Sequence, residues 1–232
     1  MATKKKLVVL SGAGISAESG LRTFREMGGL WEEYDVMDVA SPQGWKKDPE
    51  LVTKFYNDRR KQLLNCKPND GHLILHELEK YFDVEIITQN VDDLHERAGS
   101  TKILHLHGEL LKARSTVDEN LIYDLDDWEL TADSKCEKGS RLRPHIVWFG
   151  EAVPAITEAA ETVSKVDIMV IVGTSMNVYP AAGLIDYAPS NCPIYIIDPH
   201  EVNMSSYGNR TFIKEKASVG MKKLLDILTN KQ

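Results

Sequence analysis

Cysteine is scarce in this chain: Cys66, Cys136 and Cys192 are three in number, odd and widely spaced, which excludes a disulfide framework. No apolar run approaches the ~18 residues that suggest a membrane span. Lys4-Lys5-Lys6 leads into a short apolar run at 7–10, too short for a secretory leader. Positive charge is in deficit, with 28 Lys and Arg against 35 Asp and Glu and a net charge of −7. Nucleic acid is therefore not an expected partner. Repeats and low-complexity linkers are missing too. A cytoplasmic protein that does not engage a membrane is the simplest expectation. What remains is a 232-residue chain with 42% hydrophobic residues. That is enough for one large domain, or one domain with a small insertion, around a sizeable core.

Short apolar runs alternate with longer helical patterns. Strands are expected at 7–10, 84–88, 103–106, 168–172 and 194–197, and helices at 50–64, 70–80, 155–164, 180–188 and 217–229. Several strand runs are apolar throughout, as in strands covered on both faces. Asn69-Asp70 and Pro154 are suited to opening helices. The alternation predicts an α/β fold with an open, mostly parallel sheet. Two segments break the rhythm: 26–65 is helical and polar-aromatic, and 109–145 is charged with no strong period. Both are read as a small helical and irregular module inserted into the α/β domain. The large part takes approximately 1–25, 82–108 and 146–232, and the module 26–81 and 109–145.

The strand ends carry the chemistry. Gly12-x-Gly14-x-x-Ala17 fits a relaxed dinucleotide fingerprint, and equally a tight strand-to-helix turn that holds nothing. Ligands of an open parallel sheet bind outside the carboxyl ends of its strands. Those ends here deliver Ser11-Gly12-Ala13-Gly14, Thr88-Gln89-Asn90-Val91-Asp92-Asp93, His105-Leu106-His107-Gly108, Gly173-Thr174-Ser175 and Asp198-Pro199-His200. Small, amide, acidic, imidazole and hydroxyl groups thus converge on one edge. A dinucleotide-binding dehydrogenase places a ribose-binding acid about 20 residues after its glycines. The comparable stretch here, Met27-Gly28-Gly29-Leu30-Trp31, is loop-like, so hydride transfer is not specifically indicated. His107 is suited to general-base work, with Gln89, Asn90 and Asp92 placed to orient it or a substrate. His105 lies two residues earlier on the same strand face, and periodicity does not choose between them. His72, His76, His95 and His145 lack such company and are expected at the surface or in packing.

These residues resemble the sirtuin family of NAD-dependent protein deacylases. The resemblance rests on Gly12-Ala13-Gly14-Ile15-Ser16 through Ser19-Gly20, Thr23-Phe24-Arg25, and Thr88-Gln89-Asn90-Val91-Asp92-Asp93-Leu94-His95. It continues with Leu106-His107-Gly108, the run from Arg143 to Glu151, and Gly173-Thr174-Ser175, spanning almost the whole chain. It implies a Rossmann-like domain plus a small module, with NAD and acyl-lysine protein substrates meeting between them. It also selects His107 as the base. In the family chemistry the acyl oxygen attacks the ribose C1′ of NAD as nicotinamide leaves. The histidine then helps deprotonate a ribose hydroxyl, and the acyl group departs on ADP-ribose. The resemblance places Gly12, Ala13, Gly14, Ala17, Glu18, Thr23, Phe24, Arg25 and Trp31 at the NAD site. Gln89, Asn90 and Asp92 fall around nicotinamide and its ribose. Gly173, Thr174, Ser175, Asp198 and Ala217 fall toward the phosphates and adenosine, and Val147 and Phe149 against the substrate. Asp198 departs from the family's usual asparagine, which weakens the implied ribose contact there.

Tyr56 and Arg59 are three apart and share a helix face. There Arg59 suits a bidentate grip on a carboxylate, with the Tyr56 hydroxyl adding a hydrogen bond. A surface helix with a buried tyrosine and a solvated arginine fits the same spacing. The pair resembles the Tyr-x-x-Arg of sirtuins that remove succinyl, malonyl or glutaryl groups, and Ala40 matches the small residue that widens their acyl pocket. The implied activity is desuccinylation and demalonylation, with deacetylation compatible alongside. Most sirtuins also hold a structural zinc with two Cys-x-x-Cys pairs. Here 115–118 reads Ser-Thr-Val-Asp and 136–139 reads Cys-Glu-Lys-Gly. No zinc is expected, and the segment is expected to be held by Leu121, Ile122, Tyr123, Leu125 and Trp128. Mono-ADP-ribosyl transfer, NAD hydrolysis and non-catalytic NAD sensing are the competing functions. A monomer is compatible with the sequence, which does not fix the oligomeric state.

Overall fold

The computed structural model describes residues 3–22, 33–200 and 209–230. Its strands, in chain order, are β1 (Lys6–Ser11), β2 (Asp83–Thr88), β3 (Ile103–His105), β4 (Gly108–Ser115) and β5 (Ile122–Asp124). They are followed by β6 (Leu142–Ile146), β7 (Ile168–Val172), β8 (Ile194–Ile197) and β9 (Arg210–Ile213). Six form one parallel sheet in the order β3-β2-β1-β7-β8-β9. Val9 stands between Ile86 and Val170, which sets the register at its centre.

The continuous apolar runs follow from helices on both faces. Leu7 and Val9 pack with Ile74, Leu75 and Leu78 of helix Asp70–Leu78 and Met221 and Leu224 of helix Ala217–Thr229. Val8 and Leu10 point the other way, onto Ala159 and Val163 of helix Ile156–Ser164 and Leu184 of the 3-10 turn Ala181–Tyr187. Each fully buried side chain of this size contributes about 1.5–3 kcal/mol. β9 is not expected from the sequence, because it is a sheet edge with Thr211 and Phe212 exposed. The chain runs from β1 outward to β3, then returns to β7 on the other side of β1. That reversal puts a crevice at the carboxyl ends of β1 and β7.

The second layer differs from expectation in two ways. Segment 109–145 is built around a three-stranded antiparallel sheet, β5-β4-β6, where the sequence predicts an irregular module. A register shift between Gly108 and Ala113 breaks the alternation that would have revealed β4. Helix Asp70–Leu78 belongs to the core of the large sheet, so the chain leaves the module earlier than the boundary drawn at 81/82. Among the described residues, the rest of the module is mostly helical. Asp48 caps helix Pro49–Leu64 through the Leu51 N–H, with proline in its first turn. Val52, Phe55, Tyr56 and Leu63 of that helix pack with Leu110, Ile146 and Trp148, tying the helices to the small sheet.

Candidate active site

The crevice is a cleft of about 900 Å³. Its floor is two glycine loops in mutual contact. A Cβ on Gly12 would stand 2.7 Å from the Thr174 Cβ, and one on Gly14 would stand 2.8 Å from the Gly173 Cα. Gly173 itself has φ +63°, a conformation glycine adopts without strain. The Gly14 N–H also donates to the Gly173 carbonyl at 2.8 Å. The fingerprint glycines are thus required by loop-to-loop packing as well as by any ligand above them.

Ala13, Ala17, Glu18, Ser175, Asp198 and Ala217 line the same cleft with these loops. Glu18 accepts from the Ser218 N–H and hydroxyl at 2.9 and 2.8 Å, closing that end of the cleft onto helix Ala217–Thr229. Asp198 accepts the His200 N–H at 2.9 Å. Thr23, Phe24, Arg25 and Trp31 lie outside the described residues.

Beside the glycine loops, Gln89 donates to the Thr174 hydroxyl at 3.0 Å. The Asn90 amide donates to Ser16 Oγ at 3.1 Å, and that hydroxyl donates to Asp92 Oδ2 at 3.0 Å. Gln89 and Asn90 face the cleft, whereas Asp92 stands behind them, buried. Burial raises its carboxyl pKa, against the Ser16 hydrogen bond, which lowers it. Sequence reasoning assigns Ser16 no role of its own, and nothing in its spacing marks it as the hub of this network.

His107 lines the cleft and His105 is committed elsewhere. His107 Nδ1 lies 3.1 Å from the Gln89 carbonyl; a carbonyl only accepts, so Nδ1 carries the proton and Nε2 keeps its lone pair. Burial lowers its pKa, only partly offset by that bond, so the imidazole is neutral and basic. His105 places Nδ1 3.0 Å from the Asn90 carbonyl and Nε2 2.8 Å from the Glu96 carboxylate. Burial pulls its pKa down, but the Glu96 carboxylate outweighs burial and raises it. With both nitrogens donating, His105 has no lone pair to offer. Of the two histidines, His107 is the one that lines the cleft.

His72 and His95 occupy the packing role expected of them, at an unexpected place: both are fully buried directly beneath the site, their rings 4.9 Å apart. His72 Nε2 approaches Ser16 Oγ at 3.4 Å and His95 Nε2 approaches Ser11 Oγ at 3.0 Å. Burial pushes His72 down to about 4 and His95 well below its ordinary value. A histidine held neutral in the fold but free to protonate when unfolded contributes stability above pH ~6.5, lost as pH falls toward its folded value. His72 alone accounts for up to ~3 kcal/mol across that window. The melting temperature is expected to fall between pH ~6.5 and pH ~4.5, and His72→Gln is expected to flatten that slope. Equal slopes in both proteins would refute the assignment.

The opposite side of the cleft joins the module to the large sheet. Val147 donates its N–H to the His107 carbonyl at 2.9 Å, and Phe149 donates to the Ala40 carbonyl at 3.0 Å. Tyr56, Ala40, Val147 and Phe149 all line the cleft. The Tyr56 hydroxyl accepts from Trp148 Nε1 at 3.1 Å, and burial raises its pKa to about 12. Arg59 does not line the cleft: it is buried one turn along, its guanidinium 6.0 Å from the Phe55 ring centre. Burial lowers its pKa to about 10, against attraction from Tyr56 and Asp92, so it remains a cation.

The positions that would carry zinc ligands do not suit the metal. Ser115 uses its hydroxyl to accept the Val117 and Asp118 N–H groups at 3.2 and 3.3 Å. Asp118 is paired with Lys138 at 2.7 Å, Gly139 has no side chain, and Cys136 is buried with Ala113, Leu130 and Leu142. Among the described residues no group of three or more His, Cys, Asp or Glu could hold a metal ion. Leu121, Tyr123 and Leu125 pack on that apolar cluster. Ile122 is instead exposed, and Trp128 lies under Lys61, whose Nζ is 3.5 Å from the ring centre. Elemental analysis is expected to find far less than one zinc per chain, and a chelator to leave the melting temperature unchanged.

Comparison with known proteins decides the family. Residues 12–180 match the Sir2 family. The chain belongs to that family. It is 53% identical to an NAD-dependent protein deacylase of Bacteroides thetaiotaomicron over 229 residues, covering 97% of this chain and 98% of the relative. It is 54% identical to a protein of the same description from Helicobacter pylori, covering 95% and 94%. Among solved structures it resembles a mutant Sir2 homologue in complex with ADP-ribose, with TM-score 0.91, 39% identity and coverage of 98% and 93%. A Sir2 homologue–NAD complex matches with TM-score 0.87 and 39% identity, covering 98% of this chain and 91% of the other.

Proposed function

We propose that this NAD-dependent protein deacylase acts chiefly on lysines carrying short acidic acyl groups, succinyl and malonyl, and transfers them to ADP-ribose. NAD supplies the electrophilic ribose carbon and the hydroxyl that finally carries the acyl group. The chain's own residues do the rest. The Gly12–Gly14 and Gly173–Ser175 loops form a floor shallow enough for a pyrophosphate to lie against backbone. Asn90, held by Ser16, and Gln89, held by Thr174, present fixed amides to the nicotinamide end. His107, through Nε2, takes the proton from a ribose hydroxyl. Val147 and Phe149, pinned to His107 and Ala40, hold the peptide side so that the acyl-lysine enters beside the base.

The observation that carries the acyl assignment is the helix face that puts Tyr56 in the cleft with Ala40 and buries the Arg59 cation one turn away. A neutral acetyl group gives such a cation nothing to bind. A carboxylate that passes Tyr56 and reaches one turn deeper than the cleft wall relieves part of that burial cost and accepts from both residues. The test is a panel of acetyl-, malonyl-, succinyl- and glutaryl-lysine peptides of one sequence, with NAD, read by mass spectrometry. O-succinyl-ADP-ribose should form with a higher kcat/KM than O-acetyl-ADP-ribose. ADP-ribose alone, or ADP-ribosylated peptide, would refute deacylation, and an acetyl preference would refute the acyl assignment.

A further inference from the structure

The donor that holds Tyr56 is unusual in being immovable. Trp148 and Tyr56 are both buried, at 2% and 4% exposure, and Trp148 Nε1 is 3.1 Å from the Tyr56 oxygen. The indole is clamped on several sides. The Arg143 guanidinium lies 3.3 Å over its ring and Trp45 packs against it at 5.7 Å. Its backbone N–H donates to Glu151 at 2.8 Å. Glu151 is itself gripped by both terminal nitrogens of Arg143, at 2.7 and 3.0 Å, and by Arg114 at 3.3 Å. Arg143 also donates to the Ile146 carbonyl at 2.9 Å. No rotamer change is available to Trp148 without breaking this arrangement.

An indole N–H can only donate, so the Tyr56 oxygen must accept from it. A phenol holds its proton in the ring plane, on one of two sides of the oxygen. Trp148 donates to that oxygen, so the phenol proton turns away from the indole. A carboxylate accepts and never donates, so it needs Tyr56 as a donor, whereas an acetyl methyl group makes no such demand. We infer that Trp148 is a specificity-determining positioning residue, which fixes Tyr56 as a hydrogen-bond donor toward the carboxylate of an acidic acyl group. The high pKa of Tyr56 keeps that proton in place at neutral pH. This inference rests on the acyl reading above and adds to it the residue that sets the proton's direction.

Trp148→Phe keeps a ring under Arg143 and removes the N–H together with the volume of the fused pyrrole ring. It is expected to raise KM for a succinyl-lysine peptide and to lower the succinyl-to-acetyl ratio of kcat/KM about five- to tenfold, the worth of one neutral hydrogen bond. In a Tyr56→Phe background the same change should lower the ratio no further, because the proton it orients is gone. If Trp148→Phe does not fold, benzothienylalanine at position 148 preserves the bicyclic shape without the N–H and carries the same expectation. A wild-type enzyme with no succinyl advantage overturns the acyl reading and this inference with it. A wild-type advantage that survives in Trp148→Phe, or additive losses in the double variant, overturns this inference alone.

Discussion

His107→Ala is expected to lower kcat for deacylation by ~10²–10⁴-fold, the usual worth of a positioned general base. The expectation rests on the ring's wiring. Nδ1 is occupied by the Gln89 carbonyl, which fixes the tautomer and turns the Nε2 lone pair to the cleft. Burial lowers the pKa, so the working form is already unprotonated at neutral pH. The sign of the pH dependence follows: activity is present above the folded pKa and lost as pH falls through it, with a midpoint below the ordinary ~6.5. His107→Ala should abolish that acid limb together with the rate. NAD should still raise the melting temperature of the variant, because the glycine loops and the Ser16 network are untouched. His105→Gln makes the contrast. That ring donates at both nitrogens, so its loss should disturb the Asn90 loop and cost far less in kcat. Turnover of His107→Ala within about threefold of wild type, against the loss expected for a general base, would remove the proposed base.

The large sheet was legible because both of its faces are covered. Runs such as 168–172 are apolar at every position, a pattern that needs no tertiary information to read. β9 was not, since an edge strand with exposed Thr211 and Phe212 lacks that signature. The small sheet escaped for a different reason: the shift between Gly108 and Ala113 interrupts the two-residue period on which strand recognition depends. At the site, the strand-end residues were legible because parallel topology brings them to one edge by rule. The network beneath them was not. Ser16 reaches Asp92 and Asn90 across more than 70 residues of sequence, and His72 joins from a helix on the far side of the loop. Only packing puts those groups together. The glycines show the converse, a motif with a second reason behind it. Gly12 and Gly14 match a phosphate loop, yet contact with Gly173 and Thr174 already forbids any side chain there.

Arg59→Met should move selectivity more than any other single change at the acyl end. The charge is lost while an unbranched side chain remains to fill the buried volume. Hydrogen bonds to charged groups are worth about 1.5–3 kcal/mol each, and a carboxylate left without its cation in a buried pocket adds a desolvation cost. Losing one such bond, together with that cost, predicts a drop of ~10²-fold or more in kcat/KM for succinyl-lysine. Acetyl-lysine has no carboxylate to strand, so its kcat/KM should fall much less and the ratio of the two should collapse. Stability separates this from a merely structural role. Burial lowers the Arg59 pKa to about 10, which means the fold itself bears a cost for housing the cation. Methionine removes that cost along with the cation's own contacts, so the melting temperature should shift little while desuccinylation is lost. A protein that loses stability and both activities in parallel would show Arg59 to be a packing residue. A protein that keeps its succinyl preference would show that the carboxylate is bound elsewhere.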